Sequence, residues 1–385
     1  MSDAAIEVVE VEPGVDPMPA FEAIWSRGGR VLPLARTLPA PARAELEARA
    51  RAVRAEPAPG VVLATSGSSG LPRLVDLPLE SMRASAELGA QVVPFGAGHV
   101  WHASLAPSHV GGVMILLRAR VLGGAVRFGP QPRAWRDLEG VSHASLVAPQ
   151  LARLLDDPSP VPASLEAVLL GGGPSAQALH ERALARGVPL FSTYGMTETS
   201  SQVATGRRRS GDAATLAGAP IRGVSIAIDA ATGEILVDGP VLARGEFVDG
   251  ALVPLARPHA TRDAGFLDES GRLHVVGRLD AMFISGGRNI HPESIERALG
   301  ELACVRAATV VGVPHAKWGM RPVAFVDLAG APSRPLDAEL RARLEAPLVP
   351  DAILAMPADE AALAKPSRAR LAARLAAGER FESLI

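Results

Sequence analysis

Residues 65–73 read TSGSSGLPR, and these residue types suit polyanionic oxygens. Thr65, Ser66, Ser68 and Ser69 bring hydroxyl donors, while Gly67 and Gly70 remove the steric barrier that keeps backbone amides away from a ligand. Arg73 adds a fixed positive charge suited to phosphate. The preceding run Val61-Val62-Leu63-Ala64 reads as a buried strand, so the loop has a rigid support. The Gly-Lys-Ser/Thr ending of a Walker loop is missing. A Gly/Ser-rich surface linker has the same composition, so the loop suggests phosphate without choosing a reaction.

A second stretch, FSTYGMTETSSQVAT over residues 191–205, follows a strand expected at 190–194. Loops after strands are where open α/β sheets bind ligands. Tyr194 supplies a stacking face with a hydroxyl, Thr197 a donor, and Glu198 an acidic oxygen for Mg²⁺. An ordinary polar turn after a strand has the same look, and one glutamate is little evidence for a metal by itself.

These loops need a frame, and the apolar spacing supplies one. Helices are predicted over 40–56, 79–88 and 110–121, with strands over 99–105, 141–146, 167–170 and 190–194. Strands alternating with helical stretches imply βαβ units and a mainly parallel sheet. Near residue 218 the texture changes. Extended runs at 224–228 and 234–237 flank one hairpin-like turn, and runs at 265–267 and 273–276 flank another. From Asp280 onward, helices over 294–299 and 336–344 accompany strands over 307–313 and 323–327. The expected fold is therefore α/β: a large domain, residues 1–278, of mainly parallel α/β layers plus a β-rich subdomain, then a small α+β domain, residues 279–385.

At 385 residues the chain can bury two or three sizeable cores. A hydrophobic fraction of 48% and a net charge of −2 describe a soluble globular protein and argue against nucleic-acid binding by bulk electrostatics. No apolar run approaches a membrane span, and the start MSDAAIEVVEVEP lacks the basic residues and apolar core of a secretory signal. Cys304 is the single cysteine, which excludes an internal disulfide and a cysteine-based zinc cluster. The expected location is the cytoplasm.

Four segments in order extend the pattern: TSGSSGLPR, YGMTETSSQ, Thr261-Arg262-Asp263 with the following GFLDESGRLHVVGRLDAMFISGGRNIHPESIE, and Lys365-Pro366-Ser367-Arg368. In type and spacing the chain resembles the adenylate-forming superfamily, the acyl-CoA synthetases and their relatives, over most of its length. Within that superfamily, APSHVGG, LVAPQLARLL, AVLLGGGP, ATRD and GVPHAKWGMRPVAF resemble the o-succinylbenzoate–CoA ligases of menaquinone biosynthesis. The compact length and the short region before the loop suit that family as well.

The resemblance implies ATP-dependent activation of a carboxylic acid as acyl-AMP, followed by transfer to coenzyme A, with Mg²⁺ on Glu198. In it, the 65–73 loop holds the β- and γ-phosphates, and Lys365 contacts the reacting carboxylate and α-phosphate. Asp263 accepts from the ribose hydroxyls with Arg278 beside it. Gly171, Gly172 and Gly173 form the adenine slot with Ser192, Thr193, Tyr194 and Gly195. Asp280 marks a hinge about which the mobile small domain swaps Lys365 for the 285–289 loop, where Gly286 and Gly287 admit the pantetheine arm. His109, Gln150 and Ser201 are the acyl-pocket candidates. Each has a plainer alternative: Asp263 as a surface ion pair, the glycines as turns, His109 as a structural residue at a helix start. Ser69 and Arg73 stand where the family usually has Thr and Lys. Another aryl or medium-chain acid, or a catalytically silent nucleotide-binding protein, would share most of these motifs.

Overall fold

The computed structural model describes residues 6–65, 72–361 and 366–384. In its first sheet the strands Ile6–Val11, Arg30–Ala35 and Gly60–Thr65 run parallel, then Arg73–Pro78 returns antiparallel, and Gly245–Val248 and Ala251–Pro254 extend the edge. The return strand is not anticipated by the sequence reading, because no turn signal separates it from the helix Leu79–Gly89. As a result Thr65 and Arg73 face each other across paired strands.

The central sheet has eleven strands. Val100–His102, Ala125–Arg127, His143–Leu146, Ala167–Leu170 and Leu190–Met196 are its parallel half. The antiparallel half begins with Ser201–Arg207 and includes both anticipated hairpins, Ser225–Ile228 with Glu234–Asp238 and His259–Leu267 with Leu273–Arg278. The β-rich part therefore continues the parallel sheet edge to edge.

The helix Val110–Leu122 lies between the first and central sheets. Val113, Met114, Leu116 and Leu117 pack on the first-sheet core, while Ile115 and Ala119 pack with Trp101, Leu169 and Phe191. Burial on two sides removes the need for a polar face, which explains its unbroken apolar run. Each such side chain contributes about 2 kcal/mol through burial. The helix enters against residues 105–106 so closely that a Cβ on Gly112 would stand 2.1 Å from the Ala106 carbonyl oxygen. It ends at Gly123 in the left-handed conformation.

The chain leaves the central sheet at Arg278 and enters a five-stranded sheet at Phe283. That sheet pairs Gly319–Leu328 with both Val305–His315 and Ala352–Ala355, and the helix Pro292–Gly300 buries Ile295 and Leu299 on it. Pro292 opens this helix, where its missing N–H costs nothing. Several expected elements are shorter than anticipated, most of all Ala40–Ala52, Val100–His102 and Leu336–Arg341. Val53 turns extended and buries its side chain, which stops the first of these. Among the described residues, no helix is long and apolar enough to cross a membrane.

Candidate active site

The parallel strands His143–Leu146, Ala167–Leu170 and Leu190–Met196 end at a cleft of about 2570 Å³. Gly171, Gly172 and Gly173 line it directly after the second strand. Gly172 takes φ +82°, and a Cβ on Gly171 would meet Thr193 Cγ2 at 2.8 Å, so the turn lies flat against the neighbouring strand. The next residue with a polar side chain, Ser175, is tied back to the protein. Arg208 donates to His180 Nδ1 at 2.7 Å, which leaves His180 Nε2–H to donate to Ser175 Oγ at 2.7 Å. Burial, then the Arg208 charge, pushes His180 down to about 3, so this imidazole stays neutral.

Across the cleft floor, Tyr194 donates its hydroxyl to Asp263 Oδ2 at 2.7 Å. Burial first and the Asp263 charge second raise the tyrosine above its ordinary range, which keeps it a donor. Asp263 and Arg278 are direct register partners on adjacent strands, and Arg278 donates to Asp263 Oδ1 at 3.3 Å. Arg278 also grips Asp280 with two bonds of 2.9 and 2.7 Å, the main cause of its raised pKa and of the lowered pKa of Asp280. Arg262, just before Asp263, is held at φ +62°, a conformation that non-glycine residues rarely adopt. The carboxylate is thus held by Tyr194 at one oxygen and by Arg278 at the other.

Arg73 lines the cleft and donates to Glu198 Oε1 at 2.7 Å, and it pairs with Glu246 as well. Glu198 is 5% exposed and sits in the short 3-10 turn Thr197–Thr199, with Thr197 half-buried before it. Thr65 Oγ1 is buried and has no hydrogen-bond partner among the described residues. Ser66, Gly67, Ser68, Ser69 and Gly70, and likewise Lys365, lie outside the described residues. No group of three or more His, Cys, Asp or Glu side chains converges among the described residues. Neither Thr197 nor Glu198 is among the residues lining the cleft, and Arg73 holds one Glu198 oxygen, so a single buried carboxylate oxygen is left there for Mg²⁺, which keeps waters and takes its other ligands from substrate phosphates.

The small domain closes one side of the cleft. Pro366, Ser367 and Arg368 line it. Arg368 Nη2 reaches both Glu296 oxygens at 2.7 Å and Glu293 Oε1 at 3.0 Å. Asp280 lines the cleft within the 279–281 turn. Gly286 (φ +56°) and Gly287 (φ +81°) form the turn between Phe283–Ser285 and Arg288–Ile290, and they are not among the residues lining the cleft. A Cβ on Gly286 would come within 2.9 Å of Trp318 Cε3.

Residues 33–247 match the family described as AMP-binding enzyme, and residues 294–368 match the AMP-binding enzyme C-terminal domain. The chain belongs to the AMP-binding enzyme family. It is 37% identical over 268 residues to the 2-succinylbenzoate–CoA ligase of Salmonella typhimurium, a match covering 69% of this chain and 57% of that relative. The corresponding ligase of Escherichia coli is 36% identical over 266 residues, covering 68% and 57%. The chain thus spans 57% of the length of these curated relatives. Among solved structures, an arginine-to-lysine variant of E. coli MenE with bound OSB-AMS has a TM-score of 0.83 at 30% identity, covering 96% of this chain and 88% of that one. The Bacillus subtilis o-succinylbenzoate CoA synthetase (MenE) in complex with the acyl-adenylate intermediate OSB-AMP has a TM-score of 0.80 at 25% identity, covering 92% and 85%.

In this AMP-binding enzyme, the nucleotide-side candidates Gly171, Gly172, Gly173, Ser192, Thr193, Tyr194, Gly195, Asp263 and Arg278 all line the one cleft. His109, Gln150 and Ser201 line it too. His109 is exposed and makes no side-chain cap for the helix Val110–Leu122. The Gln150 amide is committed locally, accepting from Val147 N at 2.8 Å and donating to Ser104 O at 3.3 Å, so it shapes the wall. Sequence reasoning missed Arg118. It is 4% exposed, lines the cleft, donates to Gln202 Oε1 at 3.2 Å and lies 5.4 Å from the Trp101 ring centroid. Among the described residues no carboxylate stands within ion-pair distance of it, and burial pushes its guanidinium down to about 10. The signal was present: Arg118 interrupts the apolar run VGGVMILL.

Proposed function

We propose that this chain is an ATP-dependent acid–thiol ligase that joins o-succinylbenzoate to coenzyme A through an acyl-AMP intermediate, a step of menaquinone synthesis carried out in the cytoplasm. The observation that carries the reading is the buried Arg118, with no carboxylate partner among the described residues, in the same cleft as the Tyr194–Asp263 pair and the triple glycine. An acid with two carboxylates matches it: one reacts at the nucleotide, and the other relieves a cation that is costly to bury alone. The names of the similar ligases support the same substrate.

In the first half-reaction a carboxylate oxygen attacks the α-phosphorus of ATP, the bond to the β-phosphate oxygen breaks, and pyrophosphate leaves. In the second, the CoA sulfur attacks the acyl carbonyl carbon, its proton passes to solvent, and AMP leaves with the electron pair of the broken C–O bond. Alignment and charge neutralisation govern the first step more than proton transfer. The 65–73 loop with Arg73 holds the β- and γ-phosphates, and Lys365 contacts the reacting carboxylate and α-phosphate. Asp263, oriented by Tyr194 and Arg278, accepts from the ribose hydroxyls. The flat Gly171–Gly173 turn receives adenine. Glu198 is the carboxylate for Mg²⁺, which when bound supplies positive charge among the phosphate oxygens. Residues 1–278 and 279–385 are the two moving parts, hinged at Asp280, and Gly286 and Gly287 take the pantetheine arm in the second step.

A panel of acids scored by ATP- and CoA-dependent AMP formation tests the reading. o-Succinylbenzoate should lead the panel. If a medium-chain fatty acid or a monocarboxylic aryl acid outpaces it by orders of magnitude, the substrate assignment fails. ATP binding without pyrophosphate release on any acid would point to a silent nucleotide-binding protein instead.

A further inference from the structure

The helix Gln177–Ala185 starts where the cleft loop 171–176 ends, and it carries the His180 that holds Ser175. Its N-cap is Ala176, whose side chain has no oxygen to offer the free N–H groups of the first turn. The acceptor comes from the small domain. Glu301 Oε1 accepts from Gln177 N at 2.6 Å, and Glu301 Oε2 from Ala178 N at 2.8 Å. A carboxylate at this position also faces the positive end of the helix dipole.

The surrounding contacts are close. Glu301 follows the helix Pro292–Gly300, and a Cβ on Gly300 would lie 2.8 Å from Ala176 Cβ, so this approach needs a glycine. One turn earlier, Arg297 Nη1 donates to Val276 O of the central sheet at 3.0 Å. In this docking, Pro366, Ser367 and Arg368 reach the cleft while Gly286 and Gly287 do not.

We propose that Glu301 is a positioning residue that docks the small domain, by capping a large-domain helix, in the orientation used for acyl-AMP formation. The cap must be released for the second half-reaction, because the turn at 286–287 can reach the cleft only if the small domain turns. This rests on the two-step ligase reading above. It adds a coupling: the loop that receives the nucleotide and the small domain share one helix end, so ordering the first strengthens the docking of the second.

The test measures the two half-reactions separately, as pyrophosphate release with ATP and o-succinylbenzoate, and as thioester formation from preformed acyl-AMP and CoA. Glu301→Ala should slow the first about tenfold, as expected for losing a charged cap, and leave the second unchanged or faster. Glu301→Gln, which keeps one acceptor oxygen, should fall between. Ala176→Ser added to Glu301→Ala restores a local cap, which would recover both the helix and the rate if Glu301 were merely structural. No recovery of the first step is the expected result, and full recovery overturns the proposal, as does a parallel loss of both steps. A proteolysis rate at the 279–282 link, faster in Glu301→Ala, reads docking without catalysis. If the wild-type chain makes no acyl-AMP the ligase reading fails, yet this rate still decides the docking: an unchanged rate overturns it.

Discussion

Arg73 and Glu198 lie 125 positions apart in sequence and meet at 2.7 Å, so the cation that ends the glycine-serine loop also neutralises the buried carboxylate assigned to Mg²⁺. The start of the strand Arg73–Pro78 and the turn after Tyr194 are thereby one charged unit. Glu246 from the first-sheet edge completes the pair of acids around the guanidinium.

Replacing Arg73 should separate its two tasks. Arg73→Lys keeps the charge and should change the KM for MgATP by no more than a few fold. Arg73→Ala leaves Glu198 buried without its partner and should raise that KM about tenfold or more, with stability lower by about 1 kcal/mol given the half-exposed arginine. Steady-state kinetics and thermal denaturation measure both. An unchanged KM in the alanine variant would remove Arg73 from phosphate handling.

Arg118 gives a prediction with opposite signs in two assays. Arg118→Met removes a buried cation that no carboxylate among the described residues neutralises, so the melting temperature should rise or hold. The same change should lower kcat/KM for o-succinylbenzoate about a hundredfold, the effect of one lost charged contact of roughly 2–3 kcal/mol. A monocarboxylic aryl acid should be nearly indifferent to it. Equal loss on both acids would show that Arg118 acts through packing.

The Tyr194 hydroxyl donates to Asp263 and so orients its carboxylate. Tyr194→Phe should therefore keep the ring against the nucleotide and raise the KM for ATP several fold through a looser Asp263. Asp263→Ala should cost far more, on the order of a hundredfold in kcat/KM, since it removes the acceptor itself. If the two variants behave alike, the pair works as a single hydrogen bond and not as orienter and acceptor.

His180 makes stability depend on acidity. Burial and Arg208 hold its folded value at about 3, while Glu181 and Asp212 nearby only partly oppose them. The unfolded chain takes up the proton near the ordinary value of 6.5, so between the two values the unfolded state binds more protons. Stability is complete above pH 6.5 and declines as pH falls toward 3, by up to about 1.4 kcal/mol per unit. His102 and His143, both pushed to about 4, chiefly by burial, add to the decline. His180→Asn, which retains an acceptor for Arg208, should flatten the acid limb of a melting-temperature series. An unaltered limb would assign the decline to other groups.

Much of the site was legible because its parts are local. A strand followed by a Gly-Ser loop, a triple glycine after an apolar run, and a proline opening a helix are encoded within a few residues of one another. The hairpins around 229–233 and 268–271 follow from turn residues in the same way. The strand Arg73–Pro78 escaped because its signal is pairing with Gly60–Thr65, and the helix Val110–Leu122 shows no periodicity because two sheets bury it.

What the sequence by itself determined is the set of chemical groups and their order: hydroxyls and glycines in a loop after a strand, a triple glycine after an apolar run, and a hairpin with runs at 265–267 and 273–276. Only the tertiary structure decided which charges are paired. Arg73 with Glu198, Glu301 with the Gln177 amide, and Arg118 with Gln202 and no carboxylate among the described residues are relationships between segments far apart in the chain. Burial makes them matter, because a charge out of water must find a partner or keep a place for one, and composition cannot say which segment will stand opposite.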